Sequence, residues 1–483
     1  MSEKKRRIEF GDWQTPVDLA LLVCDRLKSL GVNPSVIIEP TCGVGAFVIA
    51  SAQSFQNAKT IVGHEINAAY LEHLRPQLAH ILKPERVKLE VSDFFAKDWG
   101  ASLASVEGEL LVIGNPPWVT SAGLGAIGGT NLPGKSNFQG HSGFDAMTGK
   151  ANFDISEFMM LEMLRWFRGR NGTLAMLCKT GVARKVLAHA QKQRASVTNS
   201  FMVILDTKKH FEASVESCLL VMRFDSLVER MDYDYVVYKD FEDKQGCHVG
   251  YRSGLLVRDV EAFDRSRECV GKSPQKWRSG VKHDASVIME FERREGKFVN
   301  GLGETVSLDP DFLFPLMKGS DVANGERAWR ERFVLVTQRT IGQSTEVIRK
   351  QAPRTWEYLE SKREQLDARN SRIYVDGPPF SVFGVGDYAF RPWRIAICGL
   401  YKSLRFRLVG PIEGQPVMFD DTVYYISFDT EEQAREALAR ITDPETLSLY
   451  DSLIFWDEKR PIKTSVLNII DWTRSREQTA LFA

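Results

Sequence analysis

The stretch from Ile37 to Phe47, IIEPTCGVGAF, joins a short apolar run, an acidic residue, a glycine-rich turn and the start of a second apolar segment. This order predicts a buried strand ending at Glu39, a tight turn through Gly43 and Gly45, and then a helix. Glycines in such a turn let backbone N–H groups approach a ligand, and the acidic side chain can accept hydrogen bonds or attract positive charge. Taken alone, the pattern also fits a tight structural turn.

The segments around this turn alternate short apolar runs with amphipathic stretches. Strands and helices in alternation predict an α/β fold of the Rossmann-like kind, with a mostly parallel sheet and helices on its faces. Ligands of such sheets bind beyond the carboxyl ends of the strands. The predicted strands are residues 35–40, 60–66, 87–95, 109–114, 172–179, 201–207 and 216–224, and the predicted helices are residues 17–31, 45–55, 68–82 and 154–169.

Two further predicted strands carry acidic residues at their carboxyl ends. Glu65 follows Gly45 by twenty residues, a spacing at which an acidic side chain can bind a ribose diol. Asp93 lies near the end of the third strand, within reach of an adenine amino group. Three acidic residues at successive strand ends, without a lysine for phosphate, favour a nucleoside ligand that lacks a pyrophosphate.

The fourth strand stops at Asn115, which is followed by two prolines and Trp118. A structural interpretation is a rigid strand exit with a core tryptophan. A chemical interpretation uses each group: the Asn115 side-chain oxygen and the Pro116 carbonyl can accept both hydrogens of an NH₂ group. Trp118 then offers a face for stacking, worth roughly 1 to 3 kcal/mol per base.

In this order, these motifs resemble those of S-adenosylmethionine-dependent DNA amino-methyltransferases. Thr15-Pro16, ahead of the first strand, resembles the gamma arrangement, in which the class I methyltransferase domain precedes a target recognition domain. The resemblance covers residues 12 to 225 well. It continues more loosely through Phe314 to Val322, FPLMKGSDV, which is similar to a recognition-domain segment of N6-adenine methyltransferases.

The resemblance implies roles for individual residues. Asn115 and Pro116 would hold the target amino group, Trp118 would stack on the flipped base, and Phe211 would lie on the base's other face. Phe211 also fits a core aromatic ahead of a strand, and Trp118 replaces the more usual Tyr or Phe, which keeps the stacking face. The residues expected to contact S-adenosylmethionine are Thr15, Glu39, Thr41, Gly43, Gly45, Glu65, Asp93 and Pro117.

Two domains are expected in a chain of 483 residues. Residues 1–245 form the predicted methyltransferase domain, including a long active-site loop at 121–152 that is rich in Gly, Ser and Asn. That loop either closes over DNA or is disordered. Residues 246–483 form the predicted DNA target recognition domain, a mixed α+β unit. Within it, residues 351–410 are the expected phosphate-facing region. The candidate base-reading or phosphate-binding groups, each of which also fits ordinary surface, are Lys276-Trp277-Arg278, Gln338-Arg339 and Arg391-Pro-Trp-Arg394.

Composition narrows the class of protein. The chain has no apolar stretch of the roughly 20 residues that cross a bilayer, and its basic N-terminus lacks the apolar segment of a secretory signal, so we expect a cytoplasmic protein. Seven cysteines are scattered without a C-x-x-C pair, which predicts neither a disulfide framework nor a structural metal site. We expect a monomer.

The resemblance implies site-specific methylation of adenine N6, on a base flipped from double-stranded DNA. The chain would be the modification component of a restriction-modification or phage-defence system. No convincing nuclease site is present, so any restriction or defence partner would be separately encoded. Two alternatives stay open: methylation of an amino group in RNA or of a protein glutamine, and a catalytically silent nucleic-acid-binding protein of the same fold.

Overall fold

The computed structural model describes residues 13–79, 83–119, 154–212, 215–228, 231–325, 329–369, 371–375 and 377–474. The predicted loop at 121–152 lies outside these ranges. The chain divides into two compact units, residues 1–256 and 257–483. This division comes later than the boundary predicted at 245 because strands over Cys247–Arg252 and Leu255–Val257 still belong to the sheet of the first unit.

The first unit contains a ten-stranded sheet with helices between its strands. Its strands are β1 (Val36–Glu39), β2 (Thr60–Glu65), β3 (Val87–Val91), β4 (Leu110–Gly114), β5 (Gly172–Lys179), β6 (Val197–Leu205), β7 (Ser217–Phe224), β8 (Tyr235–Tyr238), β9 (Cys247–Arg252) and β10 (Leu255–Val257). Its helices are α1 (Val17–Ser29), α2 (Ala46–Ser54), α3 (Ala68–Leu78), α4 (Trp99–Ala104), α5 (Ile155–Trp166), α6 (Thr180–Lys192) and α7 (Thr207–Phe211), with a 3₁₀ turn at Pro84–Arg86.

The strand order is β3-β2-β1-β4-β5-β7-β6-β8-β9-β10. The pairs β3/β2, β2/β1, β1/β4 and β4/β5 are parallel, whereas β7 runs antiparallel to both of its neighbours. The carboxyl ends of β3, β2, β1 and β4 therefore lie side by side along one edge of the sheet. This is the edge at which parallel α/β sheets bind their ligands.

The predicted α/β architecture is confirmed, since each of the seven predicted strands corresponds to a strand of this sheet. β4 is buried along its whole length and β5 is buried at every position but the last, as expected for central strands covered on both faces. α1 packs through a stripe of apolar residues at helical spacing. These residues are Leu19, Ala20, Val23, Cys24 and Leu27.

The third predicted strand ends earlier than expected. β3 stops at Val91 because Asp93 begins a turn, where its carboxylate accepts a hydrogen bond from the N–H of Phe95 (2.8 Å). Aspartate commonly bonds the backbone two residues on in this way. Asp93 therefore lies just beyond the strand end and not within the strand.

The second unit is a mixed α+β structure with two sheets, in the orders β11-β20-β17-β18 and β14-β13-β12-β16-β15-β19. Its strands are β11 (Arg278–Ser279), β12 (Glu290–Arg294), β13 (Lys297–Asn300), β14 (Thr305–Val306), β15 (Leu313–Met317), β16 (Arg332–Leu335), β17 (Trp393–Cys398), β18 (Arg407–Val409), β19 (Met418–Phe419) and β20 (Val423–Phe428). Apart from the parallel pair β15/β19, the strand pairs of these two sheets are antiparallel.

The helices of the second unit are mostly short. They are α8 (Val260–Arg265), α9 (Ser286–Met289), α10 (Gly319–Ala323), α11 (Val347–Gln351), α12 (Pro353–Ser361), α13 (Arg363–Asp367), α14 (Glu431–Ile441), α15 (Pro444–Leu453) and α16 (Thr464–Leu467), with 3₁₀ turns at Arg267–Cys269, Pro310–Phe312, Arg372–Tyr374 and Asp387–Phe390. In the described part of the chain, no helix has both the length and the apolar character needed to span a membrane.

Gly172 sets the spacing at the start of β5, and its replacement by alanine should destabilise the first unit. A Cβ atom there would lie 2.2 Å from the Leu110 carbonyl oxygen, which belongs to the neighbouring strand. We expect Gly172→Ala to lower the free energy of unfolding by about 1 to 3 kcal/mol, as overpacking does. Gly181→Ala in α6 is the control, since nothing lies within 4 Å of its added Cβ. Urea unfolding should show the control unchanged or more stable, and equal losses in both variants would contradict the prediction.

Candidate functional site

Four polar residues lie at the carboxyl ends of four adjacent strands. Glu39 is the last residue of β1, Glu65 is the last residue of β2, and Asn115 follows β4 directly. Asp93 follows β3 after one intervening residue, Ser92. Because the strand order is β3-β2-β1-β4, the fold brings together at one edge the residues that the sequence placed at successive strand ends.

The glycine turn after β1 is held from two sides. The N–H of Gly43 donates to a Glu65 carboxylate oxygen (2.9 Å), and the N–H of Val44 donates to the Gln14 side-chain oxygen (3.0 Å). Gly43 and Gly45 both have positive φ angles, of 50° and 89°. A Cβ on Gly43 would lie 2.5 Å from the Gln14 side chain. Both this close contact and the positive φ angle therefore require glycine at this position.

Glu65 has a structural task that the sequence did not reveal. While one carboxylate oxygen accepts from Gly43, the other accepts from the N–H of Asn67 (2.9 Å), at the start of α3. The side chain thus links the end of its own strand to the glycine turn. A ribose hydroxyl that binds Glu65 would donate to one of the remaining lone pairs of the Glu65 carboxylate.

Glu39 is a buried carboxyl group at the centre of the edge, with a relative exposure of 3%. Burial raises its pKa well above the ordinary value of 4.5; a backbone hydrogen bond at Val48 opposes this shift, and the charge of Glu65 adds to it. The Glu39 Oε2 atom and the Thr41 hydroxyl, both buried, have no hydrogen-bond partner among the described residues. Unsatisfied buried oxygens are costly in a folded protein, so their presence beside the glycine turn fits a polar ligand.

The side-chain amide of Asn115 has a fixed orientation. Its nitrogen donates to the carbonyl oxygen of Trp13 (2.9 Å) and to the hydroxyl oxygen of Thr15 (3.2 Å). A main-chain carbonyl can only accept, so the amide nitrogen must face Trp13. The Asn115 oxygen faces the other way, is buried, and has no partner among the described residues. It is an acceptor available to a ligand amino group.

Trp118 and Phe211 contact each other directly. Their ring centroids lie 5.2 Å apart with an interplanar angle of 63°, and both side chains are buried in one apolar cluster. The Trp118 indole N–H also donates to the carbonyl oxygen of Leu177 (3.3 Å). A planar base does not fit between two rings at this distance. The stacking roles that the resemblance gives to this pair therefore require the two rings to separate.

Lys179, the last residue of β5, was not predicted from the sequence as a site residue. Its ammonium group donates to the carbonyl oxygen of Trp118 (3.0 Å) and pairs with the Asp154 carboxylate (2.6 Å). Beside it, the N–H of Ile155 donates to the carbonyl oxygen of Val119 (2.9 Å). These bonds attach the segment after Asn115 to β5 and to the start of α5. A single lysine at a strand end carries no motif, so this role could not be predicted from the sequence.

Comparison with known proteins identifies the family. No protein-family model matches the chain. The type II methyltransferase M.NspV of Nostoc sp. is 45% identical over 469 residues, which cover 97% of this chain and 97% of that protein. This chain belongs to the type II methyltransferases. The predicted restriction-modification methyltransferase family is confirmed, whereas the gamma arrangement and the adenine N6 specificity stay predictions. S-adenosylmethionine, the predicted methyl donor, is likewise confirmed as the cofactor of this type II methyltransferase.

Two other similarities are more limited. The type II methyltransferase M.CvrRI of Paramecium bursaria Chlorella virus XZ-6E is 30% identical over 118 residues, which is 24% of this chain and 27% of that protein. The solved structure of the type IIL restriction-modification enzyme MmeI in complex with DNA matches with a TM-score of 0.51 at 11% identity. The alignment with MmeI covers 96% of the present chain but only 65% of the MmeI chain. At 11% identity, this similarity concerns the fold alone.

We expect loss of the Lys179 ammonium group to slow methyl transfer more than it weakens cofactor binding. Lys179→Met removes the bond to the Trp118 carbonyl and leaves the buried Asp154 carboxylate without this partner. Because small displacements of reacting groups are costly, kcat should fall roughly 10- to 100-fold. Lys179→Arg should restore much of the rate. The measurement is a steady-state methylation assay together with calorimetric titration of S-adenosylmethionine.

Lys185→Met is the matched control for that experiment. Lys185 pairs with Glu157 (2.7 Å), but its side chain is 59% exposed and belongs to the exposed part of α6. An equal fall of kcat in both lysine variants would contradict a specific role for Lys179.

The buried Glu39 carboxyl should make stability depend on pH. Since its pKa is raised in the folded chain, the folded state keeps a proton that the unfolded state releases, and stability falls as the pH rises above about 4.5. Glu39→Gln should therefore raise the thermal midpoint of the cofactor-free protein at pH 8, and raise it less at pH 5. Glu107 is exposed, so Glu107→Gln serves as the control, and its effect on the thermal midpoint should not differ between pH 5 and pH 8. A lower midpoint for Glu39→Gln at pH 8 would contradict this expectation.

Proposed function

We propose that this chain is a site-specific DNA methyltransferase that transfers a methyl group from S-adenosylmethionine to N6 of an adenine flipped out of duplex DNA. The observation that carries the proposal is the Asn115 amide. Its nitrogen is held by Trp13 and Thr15, and its oxygen is left as a buried acceptor. Pro116 follows directly, so a second acceptor, its main-chain carbonyl, is available nearby.

These two acceptors suit the chemistry of an exocyclic amino group. S-adenosylmethionine, when bound, supplies an electrophilic methyl group on a sulfonium centre. The adenine N6 lone pair is delocalised into the ring, and acceptors for both N–H bonds favour a pyramidal nitrogen with a localised lone pair. Asn115 and Pro116 therefore contribute orientation and electrostatic stabilisation. A strong general base is unnecessary, since the proton can leave after the nitrogen becomes cationic.

The residues around the glycine turn would hold the cofactor. The unpartnered oxygens of Glu39 and Thr41 fit the polar groups of such a ligand, and the absence of side chains at Gly43 and Gly45 allows close approach of the backbone. Glu65 would accept from the ribose in addition to its two backbone bonds. Thr15, Asp93 and Pro117 complete the proposed set, each lying near the carboxyl edge of the sheet or in the segment bonded to it.

Base flipping requires a pocket that replaces the stacking energy of the duplex. Trp118 and Phe211 would supply this stacking once their edge contact opens to admit the base. The free energy of that ring contact, typically about 0.5 to 1.5 kcal/mol, is comparable with or below the gain from stacking one base. Double-stranded DNA would be recognised by the second unit, residues 257–483.

The biological setting follows from the family. We propose that the chain is the modification component of a restriction-modification or phage-defence system, whose nuclease or defence partner is a separate protein. M.NspV, similar over nearly the whole chain, is named a type II methyltransferase. That likeness favours DNA as the acceptor over RNA or a protein glutamine. The buried acceptor on Asn115 favours catalysis over a silent binding protein of the same fold.

Asn115→Ala should abolish most of the methylation while leaving the protein folded. Removing one preorganised group of this kind typically lowers a rate about 100- to 1,000-fold. We expect such a fall with tritiated S-adenosylmethionine and duplex DNA of mixed sequence, with the cofactor affinity retained. Asn57→Ala is the control because Asn57 is an exposed asparagine of the same unit, bonded only to Asn33 in the described structure. Equal labelling of DNA by wild type and Asn115→Ala would contradict the role of Asn115 as an acceptor for the target amino group.

The acceptor itself is tested by methylation-aware long-read sequencing of DNA from a host that expresses the protein. N6-methyladenine at one short recurring sequence is the expected result. Methylated cytosine would overturn the adenine assignment, and equal labelling of ribosomal RNA and DNA would favour the RNA alternative. Cofactor binding without turnover on any substrate would favour a silent protein.

A further inference from the structure

The structure distinguishes several of the candidate base-reading or phosphate-binding groups of the second unit that the sequence analysis left equivalent. Trp277, Arg394 and Gln338 are buried, with relative exposures of 1%, 1% and 2%, so none of them is a surface contact. Arg391 faces the Asp429 carboxylate at 3.5 Å. The half-buried guanidinium of Arg278 lies 4.1 Å from the ring centroid of Tyr388, whose ring packs against two apolar clusters of the unit.

Arg339 differs from all of these. Its side chain is exposed, and in the described part of the chain its guanidinium has neither a hydrogen bond nor a carboxylate partner. It lies 4.6 Å from the ring centroid of Phe390. Stacking on an aromatic face restrains a guanidinium and keeps the N–H groups at its edge free. Arg339 therefore presents a restrained, unpaired fork of donors to solvent.

The loop that carries Arg339 is held by side chains bonded to its own backbone. The Gln343 side-chain oxygen accepts from the N–H groups of Arg339 (2.7 Å) and Thr340 (3.3 Å). The Gln338 amide donates to the Gln343 carbonyl and accepts from the N–H of Val382 (3.1 Å). These bonds fix the turn of the loop, so little conformational entropy remains to be lost on binding.

Both ends of the loop are also attached to a neighbouring segment. The Thr337 hydroxyl donates to the Phe380 carbonyl (2.7 Å), and the Thr345 hydroxyl donates to the Pro379 carbonyl (2.8 Å). Between these anchors the tip is open, and Ile341 is 58% exposed. A restrained loop that ends in an unpaired arginine and an exposed aliphatic side chain is suited to contact with a ligand surface.

We infer that Arg339 is a specificity-determining residue that reads a guanine of the target site through the major groove. Arginine donates two parallel hydrogen bonds to O6 and N7 of guanine, which is the commonest base-specific contact in protein–DNA complexes. The exposed Ile341 side chain can contact a neighbouring thymine methyl group. This inference rests on the proposed function, since it names a residue that selects the DNA site to be methylated.

The test compares Arg339→Ala and Arg339→Lys with wild type on duplexes that carry the methylated sequence and every single-base-pair change of it. At the wild-type site, Arg339→Ala should methylate roughly 10- to 100-fold more slowly. Duplexes altered at one G·C pair should be methylated by Arg339→Ala almost as fast as the original site. Arg339→Lys should relax selection at the same pair, because lysine keeps the charge but loses the planar fork.

Arg435→Ala is the matched control, because Arg435 is an exposed arginine of the same unit that pairs with Glu431 within α14. It should leave the ranking of all duplexes unchanged. Cofactor affinity and thermal midpoints should be equal in all variants, since the Arg339 side chain is exposed.

Two results would overturn the inference. One is an unchanged ranking of duplexes in Arg339→Ala. The other is an equal loss of methylation rate by Arg339→Ala on every duplex, restored by Arg339→Lys, together with a salt dependence of DNA binding reduced by about one counterion. Such a result would indicate that Arg339 contacts a phosphate and not a base. In both cases wild type still methylates a defined site. Failure of the proposed function is distinct, because wild type would then methylate no DNA, and the inference would fall with it.

Discussion

The candidate site depends on one hydrogen bond, from the Asn115 amide nitrogen to the Trp13 carbonyl oxygen. A main-chain carbonyl has no hydrogen to donate, so this contact sets which end of the amide faces inward. Thr15 reinforces it through its hydroxyl oxygen. The polarity of the proposed reactive edge is thus determined by a segment that precedes α1, while the proposed acceptor, Asn115, follows β4. The site exists only when the two segments are assembled.

The same N-terminal segment also supports the side of the edge that is proposed to bind the cofactor. Gln14, between the two residues that hold Asn115, accepts from the N–H of Val44 in the glycine turn, and Glu65 accepts from the N–H of Gly43 in the same turn. One short stretch of chain therefore couples the turn to the amide. Glu39 lies between them as a buried carboxyl group with an unsatisfied oxygen. Concentrating such locally unfavourable groups at one edge is typical of functional sites.

The sequence predicted the seven strands of the core and the polar residues at their ends, because each apolar run is interrupted by a residue that is expensive to bury inside a strand. It did not predict β8 to β10, whose sequences lack a clear alternation of apolar and polar residues. It also missed the contacts of Trp13, Gln14 and Lys179 with the site. These join residues up to 102 positions apart, and neither periodicity nor spacing reports on such pairs. The edge contact of Trp118 with Phe211 is likewise a product of tertiary packing.

The bonds at the start of α5 have a consequence for how this enzyme family can diversify. The N–H of Ile155 meets the carbonyl oxygen of Val119, and Lys179 joins Asp154 to the carbonyl of Trp118, so these bonds directly join the residues on either side of segment 120–153. Doubling the length of a closed loop adds only about 0.6 kcal/mol of entropic cost. A change in the number of residues between these anchors therefore costs little loop-closure entropy. The bonds of Lys179 and Ile155 can hold the segment after Asn115 through such a change in length.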